Sequence, residues 1–277
     1  MELLEKVAIG LAKAIQDDEY CGKKKSQSEG WKAVIDGLQG GKGDPAVLRT
    51  NLLAEGQPDP VQGGRPRRLA DGWDLFDCDG SRFPYQSHHL VPEKQLPKHK
   101  VTFWLIKESG KSHPKYKLAA DTNYDTNGAM NGYFMPFAST THQWSNASSS
   151  DRKSKICEEM MRRTKIQLHQ GPHSYRDYLE EEDIETAGYK DMVEQLLDVV
   201  YDRTEVHVET CEVCKGQGTP AEVQPLEAVV KHVNRVSKTL KGLLVLNRIF
   251  VSQRAADYFN KYREGGFLLH PSEPLVD

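Results

Sequence analysis

Hydrophobic residues recur at helical spacing on both sides of a central region with a different pattern. Residues 2–16 predict an amphipathic helix, because their apolar side chains fall on one face: Leu3, Leu4, Val7, Leu11 and Ile15. The same spacing predicts a helix around residues 192–200, a longer one over residues 226–244 and a last short helix before the tail that starts at Pro271.

The central region contains short apolar runs separated by turn signals. Residues 82–90 alternate well enough to predict a strand that ends in His88 and His89. Residues 101–106 are apolar and aromatic, which predicts a second strand or a buried edge. Asn131 and Gly132 form a turn dipeptide directly before a short apolar strand that Pro136 terminates.

The segments after these strands are predicted to be a loop and a helix. Residues 139–154 are rich in Ser, Thr and Asn and are predicted to form an exposed loop. Residues 156–178 are predicted to be mostly helical. Gly171 and Pro172 either break that helix or begin a new one, with Pro172 at the first helical position.

A linker is predicted at residues 55–67, which are rich in Pro and Gly and poor in apolar side chains. With this linker as a boundary, residues 1–60 are predicted to form a helical accessory region. We expect a core at residues 68–205 and a helical C-terminal region at residues 206–277 that packs on this core. No internal repeat is visible.

Composition excludes several classes of protein. No run approaches the roughly 18 apolar residues that would span a bilayer. The start of the chain carries acids where a signal peptide needs bases, so we expect synthesis in the cytoplasm without a signal peptide, with any export by a specialised secretion system. Five scattered cysteines, an odd number, argue against a disulfide framework and for a reducing compartment.

The net charge of -3 is close to neutral, so any nucleic-acid binding must rest on a local patch. Residues 93–117 carry seven lysines against two glutamates, and residues 177–212 carry thirteen acidic residues against two basic ones. Such runs are often solvated helix faces. The lysines predicted to contact a phosphate backbone are Lys94, Lys98, Lys100 and Lys115.

Histidine is the commonest metal ligand and titrates nearest neutral pH, so the adjacent pair His88-His89 suits one ligand and one base. His169 and His173 are four residues apart, and on one helical face they would be close enough to share a metal. Either pair alone is weak evidence, but a His-His strand, an Asn-Gly turn and a His-x-x-x-His segment in that order rarely coincide by chance.

In these three motifs the chain resembles the AHH nucleases of the HNH/endonuclease VII superfamily. The matching segments lie within roughly residues 80–200 and are Ser87-His-His-Leu-Val-Pro92, Asn131-Gly-Tyr-Phe-Met-Pro136 and His169-Gln-Gly-Pro-His-Ser-Tyr175. The resemblance implies an α+β fold in which a ββα-metal hairpin and helix hold one divalent ion. It also implies a toxin domain neutralised by an immunity protein.

The resemblance assigns roles to individual residues. It implies that His88, His169 and His173 bind the metal and that His89 is the general base. Asn131 is similar to the asparagine that holds the hairpin loop and orients the base, and Tyr175 matches a structural aromatic. Ser87 replaces the alanine of the family name, and the stretch between His89 and Asn131 is longer than expected. His113-Pro-Lys-Tyr116 imitates the last motif but comes before the Asn-Gly strand, so it is treated as a decoy.

The chemistry expected of such a site is phosphodiester hydrolysis, because a Lewis acid and a base can together activate water against a charged ester. Imidazole ligation accepts Zn, Ni or Mn, and Mg remains open, so the metal is not ranked. DNA is the expected substrate. The alternatives are an RNase with the same residues and a binding module that keeps the metal without catalysis.

The residues alone allow two interpretations of a second group of possible metal ligands. Cys211 and Cys214 form half of a zinc-knuckle pattern, and His207 precedes them by four residues. One interpretation is a structural zinc held by His207, Cys211, Cys214 and a distant ligand such as His232. The other is an exposed loop with free thiols.

Overall fold

The fold is α+β, with long helices and two-stranded sheets. The computed structural model describes residues 2–16, 33, 35, 44–57, 85–138, 144, 147–169, 177–179, 184–186 and 188–264. The helices are α1 Glu2–Gln16, α2 Pro45–Ala54, α3 Ser150–Thr164, α4 Tyr189–Thr210, α5 Glu227–Val245 and α6 Gln253–Glu264. The strands are β1 Tyr85–His89, β2 Tyr116–Leu118, β3 Gly132–Pro136, β4 Asp177–Leu179, β5 Ile184–Thr186 and β6 Ala221–Val223. Among these residues no helix combines the length and the apolar character that a membrane span requires.

The strands pair in three sheets: β1 with β3, β2 with β6 in parallel, and β4 with β5 antiparallel. The predicted helices at residues 2–16, 192–200 and 226–244 are confirmed as α1, α4 and α5. The strand predicted at residues 82–90 is confirmed as β1 over its described part, with residues 82–84 outside the described residues, and the strand predicted after the Asn131-Gly132 turn is confirmed as β3. The three-residue strands β2, β4, β5 and β6 were not predicted, because so short a run carries no usable periodicity.

The strand predicted at residues 101–106 is wrong, although its burial is confirmed. A 3-10 helix, Lys100–Trp104, occupies this stretch, and its apolar side chains are buried. His99 caps the start of this helix, because its Nδ1 accepts a hydrogen bond from the Val101 N–H at 3.1 Å. A side-chain cap of this kind satisfies a backbone donor that a strand would have to pair with another strand.

The predicted boundary between loop and helix at residues 139–178 is also wrong. Helix α3 already begins at Ser150, because the Ser149 side chain accepts a hydrogen bond from the Arg152 N–H. It ends at Thr164, where Lys165 adopts a left-handed backbone with φ 56°. Residues 165–169 are therefore not helical, and residues 177–179 belong to strand β4. The remaining residues of the predicted helix, 170–176, lie outside the described residues.

The chain divides into two compact units that interleave along the sequence. Unit one combines Met1–Asn51, His89–Gly132 and Asp191–Leu240. Unit two combines Leu52–His88, Tyr133–Lys190 and Lys241–Asp277. The division into regions 1–60, 68–205 and 206–277 stays a prediction. The linker expected at residues 55–67 lies outside the described residues beyond position 57.

Unit two has its hydrophobic core between α3 and α6. The buried side chains of this core include Ile156, Met160, Met161, Phe250, Ala256 and Phe259. A buried amide ties the segment after α3 to the end of α5. Gln167 donates from Nε2 to the carbonyl oxygens of Leu244 (3.2 Å) and Ile249 (2.7 Å), and its Oε1 accepts from the Val251 N–H (3.2 Å).

Replacing Gln167 with leucine is expected to destabilise the protein by about 3 kcal/mol, because each buried backbone group that loses its partner costs about 1–3 kcal/mol. A chemical-denaturation midpoint measures the change. The matched control is Gln253→Leu, where the amide is exposed and bonds only to the Asp257 carboxylate among the described contacts. That variant should stay within about 0.5 kcal/mol of the unaltered protein. Equal midpoints for the two variants would contradict a structural role for Gln167.

In unit one the lysine-rich segment lies along the acidic face of α4. Lys100 pairs with Asp198 (3.0 Å) and Asp202 (3.1 Å), and His113 contacts Glu205 (3.1 Å). Lys115 pairs with Glu209. Part of the positive charge of the first run is therefore paired with the acidic run within the fold, although exposed pairs of this kind each add little stability.

His99 also faces an acidic residue of α4, and its protonation makes the stability of the protein depend on pH. Its Nδ1 accepts from the Val101 N–H, and its Nε2 faces the Asp198 carboxylate at 3.3 Å. Burial lowers the pKa of His99 below its ordinary value; Asp198 and Glu194 oppose this shift, and Lys100 adds to it. The folded state therefore binds this proton less readily than the unfolded chain does.

We expect the protein to lose stability as the pH falls below about 6.5, the ordinary histidine pKa, toward the lower pKa of folded His99. In that window the unfolded chain binds more protons, whereas above it the two states bind equally and the contribution is complete. Denaturation midpoints at pH 5 to 8 measure the slope. The variant His99→Gln should show a shallower loss on the acid side, and an unchanged slope would contradict the assignment.

Candidate active site

The histidine pair lies at the end of β1, which forms a two-stranded sheet with β3. Beyond the strand, the Leu90 N–H donates to the Asn131 carbonyl at 2.8 Å, so the ladder continues into the turn before β3. Ser87, His88 and His89 are all buried. Successive side chains on a strand point to opposite faces, and the two histidines accordingly have separate sets of neighbours.

His88 contacts a second histidine and a tyrosine within unit two. The ring centroids of His88 and His169 are 4.9 Å apart in an edge-on arrangement. The His88 Nε2 lies 3.0 Å from the hydroxyl of Tyr189, the first residue of α4. Burial raises the pKa of Tyr189 far above its usual range, so this hydroxyl keeps its proton and can hydrogen-bond to the imidazole.

His169 follows α3 in an extended segment rather than on a helix. Its N–H donates to the carbonyl of Pro136, the last residue of β3, at 2.8 Å. The Gln86 Oε1 lies 2.9 Å from the His169 Nδ1. A carbonyl oxygen accepts only, so Nδ1 carries the proton and Nε2 keeps its lone pair. His173 and Tyr175 lie outside the described residues, so the helical i, i+4 arrangement of His169 and His173 stays a prediction at its second position.

The His88–His169 pair fits a divalent transition metal. Two imidazoles within 5 Å, one of them with its second nitrogen held by an amide oxygen, are the donor set and the outer support that such ions use. Phe137, with its ring 6.2 Å from that of His169, adds an apolar neighbour. These contacts all lie within unit two.

His89 is held in unit one between an amide and a carboxylate. Its Nε2 lies 3.1 Å from the Asn127 Oδ1, and its Nδ1 lies 3.8 Å from the Glu93 Oε2. The Asn127 Oδ1 also accepts from the Asp44 N–H at 2.9 Å, which identifies that atom as the amide oxygen. Nε2 of His89 therefore carries the proton, and the basic lone pair is on Nδ1, facing Glu93.

Asn131 is fully engaged in holding the loop between the strands. Its Oδ1 accepts from the Val91 N–H (2.7 Å) and from the Ser237 hydroxyl (2.9 Å). Its Nδ2 donates to the carbonyls of Val91 (3.1 Å) and Thr126 (2.9 Å). These four contacts are all to groups other than the histidines, and the contact to the His89 ring comes from Asn127.

The four lysines predicted to bind a phosphate backbone have different surroundings. Lys100 and Lys115 lie in the ion pairs with α4. Lys94 and Lys98 have exposed side chains on the segment that follows β1. All four side chains are exposed, and Lys94 and Lys98 are the better placed for an external anion because they lie outside the ion pairs with α4.

The residues of the predicted second metal site do come together. The ligand atoms of His207, Cys211 and Cys214 all lie within 4.8 Å of one another. In the described part of the chain this group does not include His232, which is buried on α5.

Sequence reasoning missed Gln86, Glu93, Asn127 and Tyr189, which contact the histidines. Asn127 has a usable sequence signal, because Asn127-Gly128 is a second Asn-Gly turn four residues before Asn131-Gly132. Glu93 is also four residues from His89 in sequence. Tyr189 has no local signal, because its contact with His88 spans 101 positions.

A family model described as a nuclease family of the HNH/ENDO VII superfamily with conserved AHH matches residues 79–229. The match covers more than half of the chain and includes His88, His89, Asn131 and His169. No curated protein and no solved structure matches the chain.

Proposed function

Since the chain belongs to the AHH nuclease family of the HNH/endonuclease VII superfamily, we propose that it is a metal-dependent endonuclease that hydrolyses the phosphodiester bonds of DNA. The observation that carries this proposal is that two adjacent histidines have different neighbours. His88 faces another imidazole, whereas His89 is oriented by an amide oxygen with a carboxylate beside its free nitrogen.

In this proposal His88 and His169 hold the divalent ion, and His173 completes the set within a ββα-metal hairpin. Gln86 sets the tautomer of His169, so that Nε2 is available as a donor. The ion, when bound, supplies a Lewis acid for the phosphoryl and leaving oxygens. Zn, Mg, Mn and Ni are the candidates.

His89 acts as the general base. Asn127 keeps the proton on Nε2, so Nδ1 takes the proton of the attacking water. The resulting imidazolium would carry a positive charge next to the Glu93 carboxylate, 3.8 Å away, which stabilises it. Asn131 contributes as a positioning residue by holding the loop that follows the histidines.

Lys94 and Lys98 are proposed to bind the phosphate backbone, because their exposed side chains lie outside the ion pairs that Lys100 and Lys115 form with α4. The biological role proposed is that of an antibacterial toxin, made in the bacterial cytoplasm, delivered by a specialised secretion system and neutralised by an immunity protein. The resemblance to toxin domains supports this role.

A substrate and metal panel tests the proposal. Purified protein is incubated with supercoiled plasmid, single-stranded DNA and structured RNA, each with Mg, Mn, Zn or Ni and with chelator. We expect nicked and linear plasmid with at least one metal and none with chelator. Cleavage of RNA alone would identify RNA, not DNA, as the substrate. Intact nucleic acid in every lane would refute the nuclease proposal.

The variant Asn127→Ala is expected to lower kcat by about 10- to 100-fold with little change in KM, because the His89 tautomer is no longer fixed. Initial rates on plasmid at several substrate concentrations separate the two constants. The matched control is Asn123→Ala, an exposed asparagine in the same loop, which should keep its rate. A KM increase with unchanged kcat would assign Asn127 to substrate binding instead.

A further inference from the structure

Three metal-ligating side chains come together at the end of helix α4 and in the turn that follows it. His207 lies in the last turn, and Cys211 and Cys214 follow at four and seven positions. Helix α4 ends at Thr210, and the turn after it is held by hydrogen bonds from the Cys211 N–H to the His207 carbonyl (2.9 Å) and from the Lys215 N–H to the Cys211 carbonyl (2.9 Å). This turn brings both cysteines close to His207.

The distances between their donor atoms agree with tetrahedral zinc. Zn–S bonds of about 2.3 Å and Zn–N bonds of about 2.0–2.1 Å place sulfur and nitrogen about 3.6 Å apart and two sulfurs about 3.8 Å apart. The Cys214 Sγ lies 3.4 Å from the His207 Nε2, and the three donor atoms are within 4.8 Å of one another. Cys214 is buried, while His207 and Cys211 are partly exposed.

The loop after Cys214 is anchored closely to strand β6. A Cβ on Gly216 would lie 2.0 Å from the Glu222 carbonyl oxygen, so only glycine fits there. The Glu222 N–H donates to the Gln217 carbonyl at 3.0 Å, and Gly218 uses a left-handed backbone with φ 95°. Strand β6 pairs in parallel with β2, at Lys117 and Glu222 among other positions.

We propose that His207, Cys211 and Cys214 bind one Zn²⁺ at the end of α4, next to the loop that is anchored to β6, with water in the fourth position. Two thiolates and one imidazole select zinc over the hard ions Mg and Mn. The site is independent of the proposed nuclease metal, which has imidazole ligands. Its role is to hold the end of α4, whose carboxylates bind the lysine-rich segment.

Cobalt substitution in the full-length protein tests the proposal. Co²⁺ replaces zinc with similar geometry, and a thiolate ligand gives a charge-transfer band in the near ultraviolet that imidazole ligands do not give. We expect this band to saturate at one equivalent of Co²⁺ and to disappear when one equivalent of Zn²⁺ is added. If the fully loaded protein shows no such band, the three side chains form only a thiol–imidazole hydrogen bond.

Variants assign the band to these residues. Cys211→Ser and Cys214→Ser are each expected to abolish it and to remove one equivalent of bound zinc in metal analysis. The matched control Cys157→Ser alters a buried cysteine whose Sγ accepts from Arg254, and it should keep both the band and the zinc. Should the serine variants fail to fold, thiol labelling of the unaltered protein decides: two more cysteines must react after chelation than before it, and an equal count refutes the site.

Discussion

Replacing His89 with alanine should lower kcat for plasmid cleavage by about 10²- to 10⁴-fold, the range that a positioned general base contributes. The structural reason is that the His89 Nδ1 is the basic nitrogen, since the Asn127 Oδ1 accepts a hydrogen bond from the protonated Nε2. In the described contacts, Glu93 is the charged group beside that nitrogen, and a carboxylate 3.8 Å away would stabilise the imidazolium formed during the reaction.

The control for this variant is His113→Ala, which removes an imidazole of similar burial from the same unit. His113 pairs with Glu205 of α4, and its variant should keep the rate per folded molecule even if the melting temperature falls. Metal content should be the same in both variants and in the unaltered protein. A His89→Ala protein within threefold of the full rate would exclude His89 as the base.

The family could be predicted from the sequence because it depends on the order of three short motifs, and the family model confirms it. Strands β1 and β3 were also predictable, since alternation and an Asn-Gly turn are local signals. The helices α1, α4 and α5 were predictable for the same reason, from their apolar periodicity.

The orientation of the base could not be predicted, because it depends on contacts between distant positions. Asn127 is 38 residues from His89, and the Asp44 N–H that identifies its amide oxygen is 83 residues from Asn127. Asn131 lies in the named motif and was therefore expected to orient the base. In the fold its amide is instead used by Val91, Thr126 and Ser237.

Charge along the chain was informative, but its meaning depended on the fold. The net positive charge of residues 93–117 predicted an anion-binding surface. In the fold, Lys100 and Lys115 pair with Asp198, Asp202 and Glu209, so the charge of these two lysines is neutralised within the protein. Lys94 and Lys98 lie outside these pairs and have exposed side chains, so the predicted anion contact applies to them.

Removing either His88 or His169 should weaken binding of the divalent ion by more than 100-fold, because even the hydrogen-bond partners of metal ligands are worth about 10- to 100-fold. Calorimetric titration with Mn²⁺ measures the affinity, since thiolate groups such as Cys211 and Cys214 discriminate against this hard ion. Plasmid cleavage should be lost in parallel in His88→Ala and His169→Ala.

Gln86→Ala provides an intermediate case for the same titration. Its Oε1 holds the His169 Nδ1 at 2.9 Å, so the variant should lose about 10- to 100-fold in affinity while both imidazoles remain. The order of Mn²⁺ affinity should therefore be unaltered protein, then Gln86→Ala, then the two histidine variants. Undiminished binding in both histidine variants would place the ion elsewhere, whereas loss of binding without loss of cleavage would separate the ion from the reaction.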